Sequence, residues 1–322
     1  MTEFTFAHLT DLHLPILAPP HWRTLMNKRA LGYSSWRRKR CKTNRLEPLE
    51  ALVADIQDHS IDASFITGDL VNLALPAEFC DAKKWLDQRF EGMDTVFVPG
   101  NHDTYVRAPW SQTLGTLSDR MVGTRLDDAR KRPPSGPDDF PFIKKYHSES
   151  KSGNAQKFSI AIVSANSSPP TAPGLATGTL GDAQISRIEA ALTKSRDNGD
   201  FRVLLLHHPV NDNVVSARKA LTDRDKLREI IARVGVDLVL HGHAHIPLIN
   251  EIETPTSPAP VLGGGSASHS MMKGAYRPAC YNLIAVKKEP RHWSVTVQVR
   301  ELDLARNTLF TVKTLEFNRP LT

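Results

Sequence analysis

Five short segments of this 322-residue chain carry side chains able to hold a metal ion. They are Asp11-Leu12-His13, Gly68-Asp69, Gly100-Asn101-His102-Asp103, His207-His208-Pro209 and Gly242-His243-Ala244-His245. Carboxylate, imidazole and amide donors with no thiolate suit Mn²⁺, Fe²⁺ or Fe³⁺, Co²⁺, Ni²⁺ or Zn²⁺. Asp11, His13, Asp69, Asn101, His207, His243 and His245 are too many ligands for one ion that must keep open positions. They fit two ions ~3.5–4 Å apart, the spacing of two-metal hydrolytic sites. Cys41, Cys80 and Cys280 are scattered and make neither a disulfide framework nor a thiolate site.

Each segment follows an apolar run that reads as a strand, at residues 4–9, 63–67, 95–98, 203–206 and 236–240. Helical patterns over 46–58, 77–90, 182–194 and 221–234 alternate with these runs, the signature of α/β architecture. Sites in such sheets gather at the carboxyl ends of strands, so groups far apart in sequence can converge. Period two puts Asp11 and His13 on one side of the chain, and likewise His243 and His245. Gly242 admits a close backbone approach. A strand at 157–165 ends in Asn166, Asp182 is placed as a helix N-cap, and the tail alternates apolar and polar over 281–286, 293–302 and 310–317. Residues 103–154, with their KRPPSGPDD run, read as a polar loop. His8 shares the alternation of Phe4 and Phe6 and is expected to be buried and satisfied.

Taken in order, the five segments resemble the signature of the calcineurin-like metallophosphoesterase superfamily, DxH…GD…GNH[DE]…H…GHxH, over roughly residues 4–245. The resemblance implies an α/β fold, a four-layer αββα sandwich of two mixed β-sheets flanked by helices, in one domain spanning 1–322. Two excursions depart from that frame, a basic aromatic insertion at about 15–45 and the polar loop at about 104–154. The resemblance further implies one metal on Asp11, His13, Asp69 and His245. A second takes Asp69, Asn101, His207 and His243, so Asp69 bridges. The cofactors are then two divalent or trivalent ions, with Mn or Fe favoured over Zn or Co. His102 is similar to the family histidine that protonates or stabilises the leaving oxygen. Asp103 is expected to orient His102 by accepting its second N–H.

The GD segment continues as Leu70-Val71-Asn72, without the phosphate-clamping arginine of the Ser/Thr protein phosphatases. The tyrosine ligand of purple acid phosphatases is not visible either. HHP, LVLHGHAH and the following GGGSAS resemble the bacterial branch that contains class III cyclic-nucleotide and glycerophosphodiester phosphodiesterases. The expected activity is dinuclear-metal-dependent hydrolysis of a small phosphodiester. Substrate contacts are expected from Asn72, His208, Arg218 and His269, with Asn166 and Lys219 beside them. The alternatives are a pyrophosphate-bond hydrolase of a nucleotide-linked lipid, similar to UDP-diacylglucosamine hydrolases, then a nuclease, and last a non-catalytic scaffold.

Lys and Arg number 41 against 35 acidic residues, a net charge of +6, which is mild and does not call for nucleic acid. The distribution is uneven: nine basic residues and no acidic one lie between Arg23 and Arg45, with Tyr33 and Trp36 among them. Segment 21–45 is therefore either a solvated excursion, a contact for an anionic membrane surface, or a nucleic-acid contact. With 40% hydrophobic residues the chain can bury a core, which excludes the disordered class. No apolar run approaches a membrane span, and the first residues lack the pattern of a secretory signal. The expected location is the cytoplasm, with 21–45 allowing peripheral contact with the inner membrane face. Homo-oligomers are compatible with this reading.

Overall fold

The computed structural model describes residues 2–148 and 157–321, so residues 149–154 of the expected loop lie outside the described residues. One six-stranded sheet runs in the order β12 (Thr308–Pro320), β11 (His292–Asp303), β10 (Cys280–Lys288), β1 (Glu3–Leu9), β2 (Ala63–Ile66), β3 (Thr95–Phe97). Strands β1 to β3 are parallel, and β10 to β12 join them antiparallel. The second sheet runs β4 (Phe142–His147), β5 (Ser159–Ser164), β6 (Phe201–Leu205), β7 (Leu238–His241), β9 (Ala259–Gly263), β8 (Leu248–Ile252). Here β5, β6, β7 and β9 are parallel, while β4 and β8 are antiparallel edges. Both sheets are mixed, as the αββα reading requires.

The insertion folds as α1 (Arg29–Ser35), a π-helical turn Trp36–Arg40, and α2 (Cys41–Thr43). Helices α3 (Leu46–Asp58) and α4 (Pro76–Arg89) flank the first sheet, and α5 (Asp182–Asp197) and α6 (Arg224–Val234) the second. Leu49, Leu52, Val53 and Ile56 recur at the spacing of one helical face, which is why α3 packs inward. Alternation divides the second sheet's side chains between two cores. Val203 and Leu205 meet Phe6, Phe65 and Phe97 between the sheets, and Leu204 and Leu206 meet Ile188 and Ile231 under the helices. Trp293 of β11 crosses the gap between sheets to lie edge-on to Phe158 and Phe201, with centroids 5.3 and 5.4 Å away. Burying a side chain of that size contributes ~1.5–3 kcal/mol.

The structure corrects several local expectations. Residues 142–147, inside the expected polar loop, form β4 and pair with β5. The 3₁₀ segment Leu114–Met121 buries Leu114, Leu117 and Met121, so this excursion is partly packed against the core. Gly181, not Asp182, caps α5; Asp182 is its first residue and pairs with Lys226 at 2.7 Å. Strands β8 and β9 are additional to the elements expected from sequence, and Pro260 in β9 brings no backbone donor to the ladder. Pro260 is accommodated because pairing with β7 starts only at Val261. Among the described residues, no helix is long and apolar enough to cross a membrane.

Candidate metal centre

The parallel strands β1, β2, β3, β6 and β7 end just before the five segments, and the loops that follow are stitched together by backbone. Asp11 N donates to Gly68 O (3.0 Å), His13 N to Asp69 O (2.9 Å) and Gly242 N to His207 O (3.0 Å). Asp11, His13, Asp69, His243 and His245 all lie in the left-handed backbone region, with φ of 53°, 42°, 55°, 68° and 58°. Such conformations cost non-glycine residues free energy and persist where the surroundings over-determine them. This corrects the reasoning from strand alternation. The D-x-H and H-x-H pairs converge through left-handed turns beyond the strand ends. Gly242 is needed for contact: a Cβ there would sit 1.8 Å from Thr10 Oγ1.

Ligand atoms of Asp11, His13, Asp69 and His245 form one group, and those of Asp69, His207 and His243 another, each within 4.8 Å. Asp69 belongs to both through different oxygens. Its Oδ2 is 3.7 Å from His13 Nε2, and its Oδ1 is 3.6 Å from His207 Nε2. Asn101 Oδ1 lies 3.2 Å from His207 Nε2 and so joins the second group. In the first group, His13 Nε2 and His245 Nε2 face each other at 3.3 Å, and His245 Nε2 is 3.0 Å from Asp11 Oδ1. Asp11 Oδ1 is buried without a hydrogen-bond partner. Lone-pair-bearing atoms turned toward one another, all buried but His245, fit a cation at each group.

Outer contacts fix the tautomers. His207 Nδ1 donates to Thr67 O (2.7 Å) and His13 Nδ1 to Val71 O (3.3 Å), leaving Nε2 of each for the centre. His243 Nε2 donates to Lys219 O (3.0 Å), which leaves its Nδ1. Orientation by a second hydrogen bond is the usual support of a ligating histidine. Burial, followed by the charge of Arg40, holds His13 well below the ordinary histidine range; burial and His208 do the same for His243. Both therefore stay neutral, as ligands must. Burial, then the charge of Asp11, pushes Asp69 well above the carboxylate range, the expected tension of two buried like charges.

Asp103 does not orient His102. Its Oδ2 accepts from Gly100 N and Asp69 N (2.8 Å each), and its Oδ1 from Leu70 N (2.9 Å) and Val71 N (3.1 Å). Four convergent backbone donors outbid one imidazole, and Asp103 clamps the two glycine-led loops together. Burial and then Asp69 push it up to about 7, against the N–H donors that hold it down. His102 Nδ1 instead contacts Asn72 O at 2.6 Å, and its ring stacks on Tyr105 with centroids 5.4 Å apart. His102 stands edge-on to His13 at 5.0 Å, so the structure does place it beside the ligands.

The expected substrate residues divide. Asn72 is fully buried and donates from its side chain to Leu14 O (2.7 Å), so it builds the loop rather than facing a ligand. His208 is also fully buried; its Nδ1 meets Ser167 Oγ (2.9 Å) and its Nε2 meets Ala176 O (3.2 Å), so it packs behind His207 and His243. Arg218 is exposed on the turn Ala217–Lys219, which meets the centre through the Lys219 carbonyl. His269 holds Arg277 O (2.9 Å) beside Tyr276, whose ring is 6.4 Å from that of His245, a position at the rim. Asn166 accepts from Ser168 N at 3.0 Å. His8 is buried against Thr67 Oγ1 (2.9 Å), as expected.

Sequence reasoning missed Arg40. The insertion is pinned at one end by Arg29, whose guanidinium donates to Leu73 O (2.8 Å) and Ala74 O (2.5 Å). At its other end Asn44 Nδ2 donates to Ser266 Oγ (3.2 Å) and Ser268 Oγ (2.9 Å) of the GGGSAS loop. Ser266 Oγ in turn donates to Asp11 O (2.7 Å), so this loop is part of the centre's frame. Between these anchors Arg40 reaches inward to 3.1 Å from His102 Nδ1. Nothing in the run Arg37-Arg38-Lys39-Arg40 marks the last cation as different from its neighbours.

Comparison with known proteins agrees with this geometry. No curated protein sequence matches the chain. Among solved structures, a dimetal phosphatase from Danio rerio superposes with a TM-score of 0.56 at 14% identity, covering 99% of both chains. A purple acid phosphatase from yellow lupin gives 0.56 at 10% identity, covering 99% of this chain and 54% of that one. The NAD nucleotidase of Haemophilus influenzae gives 0.50 at 13% identity, over 97% of this chain and 54% of the other. These likenesses are of fold. The sequence profile of the calcineurin-like phosphoesterases matches residues 4–247, which contain every segment of the centre, and the chain belongs to that family.

Proposed function

We propose that the protein is a dinuclear-metal phosphodiesterase acting on small diesters of the cyclic-nucleotide or glycerophosphodiester type. The observation that carries the reading is Asp69, which offers one oxygen to each of two histidine-bearing ligand groups. Asp11, His13 and His245 would hold one ion with Asp69; Asn101, His207 and His243 would hold the other. Mn or Fe suits this donor set. A bound pair of such ions supplies Lewis-acid charge for the phosphoryl oxygens and a water of lowered pKa. With Nδ1–H of His102 donated to Asn72 O, Nε2 carries the lone pair; to protonate the leaving oxygen, His102 would first take up a proton there from the attacking water. A diester carries a second substituent; the chain that follows Asn101 and His102 lines, through Asp103 and Thr104, a cavity of about 560 Å³ that none of the seven ligands touches. Protein reconstituted with Mn²⁺ should hydrolyse bis-p-nitrophenyl phosphate in strong preference to p-nitrophenyl phosphate. Preference for the monoester would move it to the phosphatase side of the family.

One observation favours a second reading, a hydrolase of a nucleotide-linked lipid at an anionic membrane surface. Leu17, Trp22, Met26 and Leu31 are 71%, 61%, 74% and 64% exposed on the same segment that carries the basic run. Apolar side chains among cations suit an anionic bilayer interface. Co-sedimentation with anionic vesicles that disappears at 0.5 M salt would support it; indifference to such vesicles would remove it.

A further inference from the structure

We propose that Arg40, carried into the centre by the basic insertion, binds the phosphoryl group of the substrate. This rests on the phosphoesterase reading above and assigns the anion-binding group that the GD segment lacks, where Leu70, Val71 and Asn72 follow Asp69.

Arg40 is a cation without a committed partner. Among the described residues no carboxylate pairs with it, and the one polar contact of its guanidinium is His102 Nδ1. That nitrogen also lies 2.6 Å from Asn72 O, a contact that takes its proton and leaves no lone pair for a guanidinium. The carboxylates whose charge Arg40 senses are Asp69 and Asp11, the two that ligate the proposed ions. Once cations occupy those groups, the guanidinium faces a site rich in positive charge. A partly buried cation in that setting calls for an anion. The planar fork of arginine matches two phosphoryl oxygens, which a lysine cannot imitate.

The neighbouring cations do not share this position. Arg38 turns back on Ser34, bonding its carbonyl (3.2 Å) and hydroxyl (2.6 Å), and Arg37 lies over the Tyr33 ring at 6.0 Å. Arg40 is held in place by the anchors on either side of it. Arg29 ties α1 to the loop after β2, and Asn44 ties the end of the insertion to the GGGSAS loop. Lys28 adds a third tie, donating to Thr171 O (3.1 Å) and Oγ1 (2.9 Å) while its Nζ lies 4.5 Å from the centre of the Tyr105 ring. The insertion thereby supplies from outside the motif a phosphate-binding group that other branches place inside it.

The test is binding of inorganic phosphate to Mn²⁺-loaded protein by isothermal titration calorimetry, with metal counted on each sample. Arg40→Met should keep two ions per chain and bind phosphate ~10–100-fold more weakly, the loss of a charge-assisted bidentate contact. Arg40→Lys should recover part of that loss, and Arg37→Met should bind like the wild type. In steady state, KM for bis-p-nitrophenyl phosphate should rise in Arg40→Met. Phosphate affinity within twofold of wild type in Arg40→Met, with ester hydrolysis intact, overturns the assignment and leaves the enzyme reading standing. If Arg40→Met does not fold, wild-type affinity in Arg40→Lys overturns it equally. Wild-type protein that holds no metal and turns over neither ester overturns the enzyme reading, and the assignment with it.

Discussion

Replacing Asp103 with asparagine separates the role seen in the structure from the one expected from sequence. The Asp103 carboxylate receives four backbone N–H groups, Gly100 and Asp69 on one oxygen, Leu70 and Val71 on the other. An asparagine keeps one oxygen and turns an NH₂ toward the other pair. Whichever way the amide sits, two buried N–H groups lose their acceptor. Each such orphan costs about 1–3 kcal/mol, so Asp103→Asn should lose roughly 2–6 kcal/mol. An unfolding entropy of about 2.1 cal/mol/K per residue converts that to a fall in Tm of roughly 3–9 °C for a chain of this size. The loop carrying Asp69 loosens as well, so metal content should drop below two ions. Differential scanning calorimetry and metal analysis on the same preparation measure both effects. If Asp103 served His102 instead, the variant would keep its Tm and both ions and lose only turnover of poorly activated esters. A Tm within 1 °C of wild type with two ions retained would refute the clamp.

Three other outcomes follow from the same geometry. His102→Ala should keep both ions and lose ~10²–10⁴-fold in turnover of alkyl diesters, with a smaller loss on p-nitrophenyl esters, whose leaving group needs no proton; equal losses on both would make His102 a binding residue. Gly242→Ala puts a methyl 1.8 Å from Thr10 Oγ1 and 2.8 Å from Asp11 Oδ2, so it should lower Tm and metal content together; a normal Tm would show that the turn has slack. Metal-free protein should lose stability between pH 7.5 and 5.5. Burial holds His8 at about 3, His241 at about 4, and His13, His102, His208 and His243 well below their ordinary value. These six bind protons only when unfolded as pH falls through about 6.5, whereas Asp69 and Asp103, raised by burial, oppose them with two protons in the folded state. The histidines prevail, at about 1.4 kcal/mol per net proton per pH unit. Chelator-treated protein that melts higher at pH 5.5 than at 7.5 would reverse that sign.

The layered fold and the metal ligands were legible because both depend on local chemistry. Strand-length apolar runs such as 203–206 and 236–240 end in residues that few structural needs would select, and five of them in succession point to one place. What escaped the sequence depends on long-range geometry. Asp103 and His102 are adjacent in the chain, which suggests a pair, yet the fold brings four backbone N–H groups to Asp103 and a carbonyl to His102. Asn72 and His208 have polar side chains near the motifs, but their partners, Leu14 O, Ser167 Oγ and Ala176 O, come from other loops. The left-handed turns at Asp11, His13 and Asp69 have no compositional mark, since only their surroundings hold them. Strand β4 was hidden because Lys144, Lys145 and His147 break its apolar pattern at a sheet edge, while Phe142 and Ile143 are buried and Tyr146 packs on Phe4. Arg40 is one cation in a run of four, and its anchors lie elsewhere, at Arg29 and Asn44.

The central claim is that two ions share Asp69 in one hydrolytic centre. Its most direct test is metal stoichiometry and bis-p-nitrophenyl phosphate turnover on wild type and Asp69→Asn, both prepared with Mn²⁺ and analysed by inductively coupled plasma mass spectrometry. An amide cannot present two anionic oxygens, so wild type should hold two ions and turn over, and the variant should hold one or fewer without activity. Two ions with full turnover in Asp69→Asn, or wild type that never exceeds one ion, would contradict the shared centre.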